Sequence, residues 1–181
     1  YTKVEHYWDE SFGYFGAARN YSTQTTAERK DGGSGDYGTA VNFDWAKYAA
    51  KRSDCANCTT GDFDDNIINA YIEGRAMITA GEPRTEIVKQ RTIIVENWEK
   101  VVAANVIHYA NDVAELITAG GETFDCSQDA SCSKYWSEMR AFGLCLQFNT
   151  YSDFATTTAF GTMISAMGNA PPTASNSSTF V

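Results

Sequence analysis

The sequence predicts an all-α protein, a helical bundle with one long central helix and disulfide-stapled loops. The strongest signal is a stripe of apolar side chains that recur in steps of three, four or seven from Ile87 to Leu116. The stripe ends at Gly120-Gly121, a stop signal for a helix. At 1.5 Å per residue such a helix spans about 50 Å and needs other helices laid along it. No convincing run of alternating apolar and polar residues predicts a sheet.

The remaining helices follow from apolar periodicity and from helix start and stop signals. Asp64 and Asp65 suit the first turn of a helix because carboxylates favour the positive end of its dipole, and Pro83 suits the first turn of the long helix. We expect one domain over residues 1–168 and a flexible tail or linker over residues 169–181. The predicted helices cover residues 4–16, 43–52, 62–81, 83–120, 133–150 and 153–168, with polar loops over 20–39 and 53–61.

Composition narrows the classes of partner. The chain has 181 residues, 43% of them hydrophobic, and a net charge of −9. That charge repels nucleic acid and anionic membrane surfaces. It favours cations as binding partners, or it serves only to keep the protein soluble. No 18-residue apolar span is present, so we expect no membrane insertion. The chain starts at Tyr1 rather than Met, which indicates a processed form, an excised domain or an incompletely traced chain.

Cysteines and glycosylation sequons favour a secreted eukaryotic protein. Two local disulfides, Cys55 with Cys58 and Cys126 with Cys132, are the leading interpretation, and a four-cysteine zinc site is the alternative. Cys145 lies in an apolar run that is typical of a buried free thiol. The three sequons begin at Asn20, Asn57 and Asn176.

The first predicted helix carries the best candidate for a metal site. His6, Asp9 and Glu10 are three or four residues apart, so they can converge on one side of a helix. One imidazole and two carboxylates form a plausible metal site. The alternative is a capping or surface triad on a helix whose aromatic residues pack in the core.

Two further polar clusters lie among apolar residues. Glu73-Gly74-Arg75 interrupts an apolar helix, where packing needs neither the glycine nor the charges, and Ser137-Glu138 lies among aromatic residues. Such charges are costly unless they are paired or bound to a cation, so a salt bridge between helices and a ligand site are equally good interpretations. His108 is interpreted as a satisfied, partly buried histidine.

In their order along the chain, these clusters resemble the imelysin-like superfamily, with Trp98-Glu99-Lys100-Val101 and Phe142 as further landmarks. The nearest resemblance is to bacterial periplasmic members of unassigned function and to secreted algal iron-assimilation proteins. Imelysins carry a Gly-x-His-x-x-Glu motif, and residues 4–9 keep the histidine and a carboxylate three residues later, with Val4 replacing glycine and Asp9 replacing glutamate. The resemblance implies a helical bundle, secretion to a periplasm or cell surface, and a role in metal uptake. It also implies that helices on the N-terminal side, which complete the bundle, are missing from this chain.

Two hypotheses about function follow, and a zinc hydrolase is a weak third. The first is a secreted, non-enzymatic protein that binds iron for assimilation. Its metal ligands would be His6, Asp9, Glu10 and Glu138. Glu73 would be a further ligand or the partner of Arg75. Arg75 and Ser137 would lie around the ligands and contact them. The second is an extracellular structural glycoprotein that assembles with itself or with other surface proteins and uses the polar clusters as internal struts. Assembly predicts a large apolar face left exposed by the single chain.

Overall fold

The computed structural model describes residues 1–31, 42–55 and 59–176, with only the backbone described for residues 59 and 60. It confirms the all-α prediction, including the long helix. The chain forms two compact units, Tyr1–Val101 and Val102–Val181, and the long helix runs through both. The expectation of one domain over residues 1–168 remains a prediction. No helix in the described part of the chain is long and apolar enough to cross a membrane.

The helix boundaries lie close to the predicted ones. Two short strands, β1 (Asp54–Cys55) and β2 (Thr59–Thr60), pair antiparallel in the predicted cysteine loop. The α-helices of the described residues are α1 (Lys3–Phe15), α2 (Thr26–Asp31), α3 (Asp44–Ser53), α4 (Phe63–Ala80), α5 (Arg84–Gly120), α6 (Ala130–Cys145) and α7 (Thr158–Met167).

The predicted loop over residues 20–39 was wrong in its first part, because it contains α2. Thr25 and Glu28 cap this helix reciprocally. The Glu28 backbone N–H donates to the Thr25 hydroxyl, and the Thr25 backbone N–H donates to the Glu28 carboxylate over 2.7 Å. This capping box stabilises a helix too short to show apolar periodicity. Residues 32–41 of the predicted loop lie outside the described residues.

The two C-terminal helices are also shorter than predicted. The segment 133–150 forms α6 and then a 3₁₀ turn over Leu146–Phe148, and 153–168 forms a 3₁₀ turn over Phe154–Thr156 before α7. In the predicted tail, Pro172 is buried and the Asn169 side chain accepts a hydrogen bond from Arg140 over 3.1 Å. The tail is therefore anchored at its start, and residues 177–181 lie outside the described residues.

Aromatic rings form the core of the first unit. Phe15 is fully buried at the end of α1 and meets Trp98 of α5 with ring centroids 5.1 Å apart. Trp45 of α3 meets the same indole at 5.9 Å. Edge-to-face pairs of this kind stabilise a core beyond the burial of their area. Gly16 ends α1 with φ of 84°, a left-handed conformation that glycine adopts without strain.

The second unit packs α6 and α7 with the C-terminal half of α5. Tyr109 stacks on Phe142 with ring centroids 5.9 Å apart, and the Trp136 indole N–H donates to the Met167 carbonyl over 2.8 Å. His108 is half-buried, with its Nε2 3.5 Å from a carboxylate oxygen of Asp112, as expected for a satisfied histidine.

Candidate functional site

The three candidate ligands on α1 do not converge on one point. His6 and Glu10 are exposed, with 3.9 Å between the imidazole Nε2 and a carboxylate oxygen. Asp9 instead turns toward α4, where its Oδ1 accepts a hydrogen bond from the Arg75 Nε over 2.8 Å. The predicted triad is therefore split between an exposed His–Glu pair and an interhelical ion pair.

Arg75 is the centre of the polar cluster between α1 and α4. Its Nε binds Asp9, and its Nη1 donates to a carboxylate oxygen of Glu5 over 2.9 Å and also to the Thr79 hydroxyl. The predicted partner, Glu73, is exposed to solvent on α4. The interpretation as a salt bridge between helices is therefore right for Arg75, but its partners are Glu5 and Asp9 rather than Glu73.

Glu5 was not predicted from the sequence as a site residue. Its carboxylate takes part both in the capping box at the start of α1 and in the ion pair with Arg75. Its carboxylate accepts a hydrogen bond from the Thr2 backbone N–H over 2.6 Å, and its own N–H donates to the Thr2 hydroxyl. The hydrogen bond from the Thr2 backbone, followed by the Thr2 hydroxyl and the Arg75 charge, lowers the pKa of Glu5 to about 2. The Thr2-x-x-Glu5 pattern is the sequence signal that could have identified it.

Packing requires Gly74, contrary to the expectation from the sequence. A Cβ at this position would lie 2.1 Å from an atom of the Trp8 indole, so only glycine lets α1 approach α4 here. The Trp8 indole N–H donates to the Tyr71 carbonyl over 2.9 Å, and the Tyr71 hydroxyl donates to the Ser11 carbonyl over 3.1 Å. These two hydrogen bonds fix the aromatic rings between the helices.

An open groove runs beside these contacts, and we call it the α1–α4 groove. Its volume is about 280 Å³. Its walls are mostly apolar, with one ion pair at the surface. The lining residues are Trp8, Asp9, Phe12, Tyr71, Ile72 and Arg75.

Glu138 and Ser137 lie on α6 in the second unit. Glu138 is half-buried, while Ser137 is exposed and its hydroxyl donates to the Ser133 carbonyl over 2.8 Å. Across the ranges that the structure describes, no group of three or more His, Cys, Asp or Glu side chains could hold a metal ion. The described residues therefore do not bring together the metal ligands that the iron hypothesis requires.

A second ion-pair cluster, which the sequence did not reveal, lies at the start of α4. The buried Asp64 carboxylate accepts hydrogen bonds from the Tyr21 hydroxyl at 2.9 Å and from the Arg29 Nη1 at 3.0 Å. Burial alone would raise the pKa of Asp64, but hydrogen bonds from Ser53, Tyr21 and Arg29 outweigh it and lower the pKa. Burial, with the Asp64 charge second, raises the pKa of Tyr21. Arg29 also binds the exposed Asp65 at 2.9 Å, so it pairs with both carboxylates.

The cysteine prediction is confirmed where the structure describes both partners. Cys126 and Cys132, both fully buried, form a disulfide, which excludes the zinc alternative for these two residues. The pairing of Cys55 with Cys58 stays a prediction because Cys58 lies outside the described residues. Cys145 is a free thiol, but it is half-buried rather than buried, and burial raises its pKa.

Two of the three sequon asparagines are described, and both are exposed. Asn20 lies in the connection between α1 and α2. The Asn176 side chain accepts a hydrogen bond from the Thr173 backbone N–H over 2.7 Å. Asn57 lies outside the described residues.

The fold and these clusters define an all-α helical-bundle protein with an aromatic core, ion pairs between helices and a disulfide. The family described as Domain of unknown function (DUF4856) matches residues 1–154, and the chain belongs to this family. No curated protein and no solved structure matches the chain.

Proposed function

We propose that this protein is an exported, non-enzymatic helical protein that assembles with further copies of itself and uses its polar clusters as internal struts. The observation that carries the strut part of the proposal is the position of Arg75. Its guanidinium bridges the carboxylates of Glu5 and Asp9, so Asp9, one of the ligands in the iron hypothesis, is already paired within the fold. A planar guanidinium that binds two carboxylates fixes α1 against α4 and offsets part of their negative charge.

Exposed apolar side chains support the assembly part of the proposal. Phe148 and Tyr151 are 74% and 66% exposed in the second unit, and the nearby Leu144 is also exposed. Large apolar groups that gather within one short stretch are typical of surfaces that another protein covers.

The disulfide and the sequons support export to an extracellular or periplasmic compartment. The Cys126–Cys132 bond persists in an oxidising compartment and is rare in the cytosol. The exposed position of Asn20 is compatible with a glycan in a eukaryotic secretory pathway.

Sedimentation velocity over a range of protein concentrations tests self-assembly. We expect a reversible oligomer that the double substitution Phe148→Ser, Tyr151→Ser converts to a monomer. The matched control is Tyr14→Ser, which removes another exposed aromatic ring from α1 and should leave the oligomer unchanged. A protein that remains monomeric at every concentration would contradict the proposal.

Iron binding on α1 is the second candidate, and the exposed His6–Glu10 pair favours it. An imidazole and a carboxylate one helical turn apart can act as two ligands of one metal ion, with water completing the shell. The order of the landmarks along the chain supports the imelysin-like relationship from which this candidate comes. Iron titration of the native protein and of the His6→Ala, Glu10→Ala variant tests it. Stoichiometric iron that the variant loses would favour iron binding over the assembly proposal.

A further inference from the structure

The α1–α4 groove presents a hydrogen-bond donor that the fold leaves unused. Arg75 directs its Nε and Nη1 to Asp9 and Glu5, whereas its Nη2 has no hydrogen-bond partner among the described residues. The side chain is partly exposed, so this N–H edge is open to a ligand. A guanidinium carries five N–H donors, and the internal contacts use only those on two of its nitrogens.

A hydrogen-bond acceptor lies beside this donor. Asp9 is partly exposed, and its two oxygens accept one hydrogen bond each, from the Arg75 Nε and from the Tyr1 hydroxyl. Each carboxylate oxygen accepts up to two hydrogen bonds, so Asp9 retains acceptor capacity. A hydroxyl at this end of the groove can therefore donate to Asp9 and accept from Arg75.

The remaining walls are apolar and held in place. Trp8 and Phe12 each meet Tyr71 edge to face, with ring centroids 5.9 and 5.4 Å apart, and Ile72, which follows Tyr71 on α4, also lines the groove and is 55% exposed. Because hydrogen bonds tie Trp8 and Tyr71 to the facing helix, the walls need little reordering when a ligand binds. The volume of about 280 Å³ lies near the lower limit for small-ligand pockets.

The charges beside the groove disfavour an acidic ligand, because the Arg75 guanidinium and the Glu5 and Asp9 carboxylates sum to a net charge of −1. Both carboxylates already contact the guanidinium, so the groove offers hydrogen-bonding groups rather than an unpaired charge. We propose that the α1–α4 groove binds one or two rings of a neutral saccharide. Vicinal hydroxyls supply both donors and acceptors for Asp9 and Arg75, and the C–H face of a pyranose ring packs on the electron-rich faces of aromatic side chains. This site does not depend on self-assembly.

Calorimetric titration of the full chain tests the proposal with three hexasaccharides: cellohexaose, maltohexaose and the galacturonic acid hexamer. We expect at least one neutral probe to bind, and the acidic hexamer to bind at least about tenfold more weakly. Ile72→Lys should weaken the binding of the neutral probe about tenfold or more, because it places a charged side chain among the residues that line the groove. The control is Ile107→Lys, an equivalent substitution at a residue that is 43% exposed on α5 in the second unit.

A second variant separates recognition from folding. Arg75→Lys keeps a positive charge beside Glu5 and Asp9 but removes the Nη2 donor, so it should weaken saccharide binding while circular dichroism shows a native helix content. The proposal is overturned if neither neutral probe binds at millimolar concentration, if the acidic probe binds best, or if Ile72→Lys and Ile107→Lys have equal effects. Sedimentation velocity on the same samples reports self-assembly separately, so failure of either proposal is distinguishable.

Discussion

The Trp8 indole lies so close to Gly74 that a Cβ at position 74 would come within 2.1 Å of a ring atom. This contact sets the separation of α1 and α4, and it brings Arg75 within hydrogen-bond distance of Glu5 and Asp9. One glycine thus determines both the packing of the two helices and the geometry of the ion pairs beside it.

Gly74→Ala should destabilise the protein even though alanine is the better helix former. Alanine gains about 1 kcal/mol of helix propensity, but overpacking against a large ring costs about 1–3 kcal/mol and also displaces α1. We expect a net loss of up to about 2 kcal/mol in the free energy of unfolding, measured by urea denaturation. The control is Gly13→Ala in α1, where a Cβ meets nothing within 4 Å and should stabilise the helix. Equal stability of the two variants would disprove the close contact.

Acidification should remove the contribution of Glu5 to stability. Its pKa is about 2 in the folded protein against an ordinary value of 4.5, so its stabilising effect is full above pH 4.5 and disappears as the pH falls toward 2. Glu5→Gln keeps a capping side chain but has no charge to titrate. The stability difference between native protein and Glu5→Gln should therefore shrink from pH 5 to pH 2. A difference that is constant over this range would argue against the lowered pKa of Glu5, and Glu73→Gln on the exposed side of α4 is the matched control.

Breaking the buried pair at the start of α4 should be costly. Arg29→Met leaves the buried Asp64 carboxylate without its cation, which typically costs about 3–5 kcal/mol in the free energy of unfolding. Asp65→Asn removes only the exposed partner of the same arginine and should cost about 1 kcal/mol or less. Urea denaturation at neutral pH measures both, and similar losses in the two variants would show that Asp64 does not depend on Arg29.

Removal of the disulfide should lower the thermal stability of the second unit. The Cys126–Cys132 bond closes a short loop, and its loss typically costs about 2 kcal/mol in the loop-entropy model. Calorimetry of the double Cys126→Ala, Cys132→Ala variant should show a lower Tm than the Cys145→Ala control, which removes the half-buried free thiol. A double variant as stable as the control would contradict the expected role.

The sequence predicted those features that depend on local periodicity. The stripe from Ile87 to Leu116 predicted α5 because each step in it concerns neighbours on one helix. α2 was missed because Thr25 and Glu28 stabilise it by capping, without an apolar stripe. Short helices of this kind are recognisable from capping motifs rather than from periodicity.

The site was only partly predictable, because its contacts join residues far apart in sequence. His6 and Glu10 are neighbours on α1, and spacing alone predicted their approach. Spacing within α1 could not show that Asp9 faces α4, nor that Arg75 prefers Glu5 to Glu73. Both depend on the approach of the two helices at Gly74, a tertiary contact that no single-helix pattern encodes.

We propose that Arg75, rather than a metal ion, pairs with the Glu5 and Asp9 carboxylates between α1 and α4. The most direct test is the Tm of the native protein in a metal chelator and in excess iron, because any ion that binds the folded state raises the Tm. We expect the same Tm in both solutions. A Tm that iron raises by several degrees, and that no longer rises in the Asp9→Asn variant, would contradict this pairing.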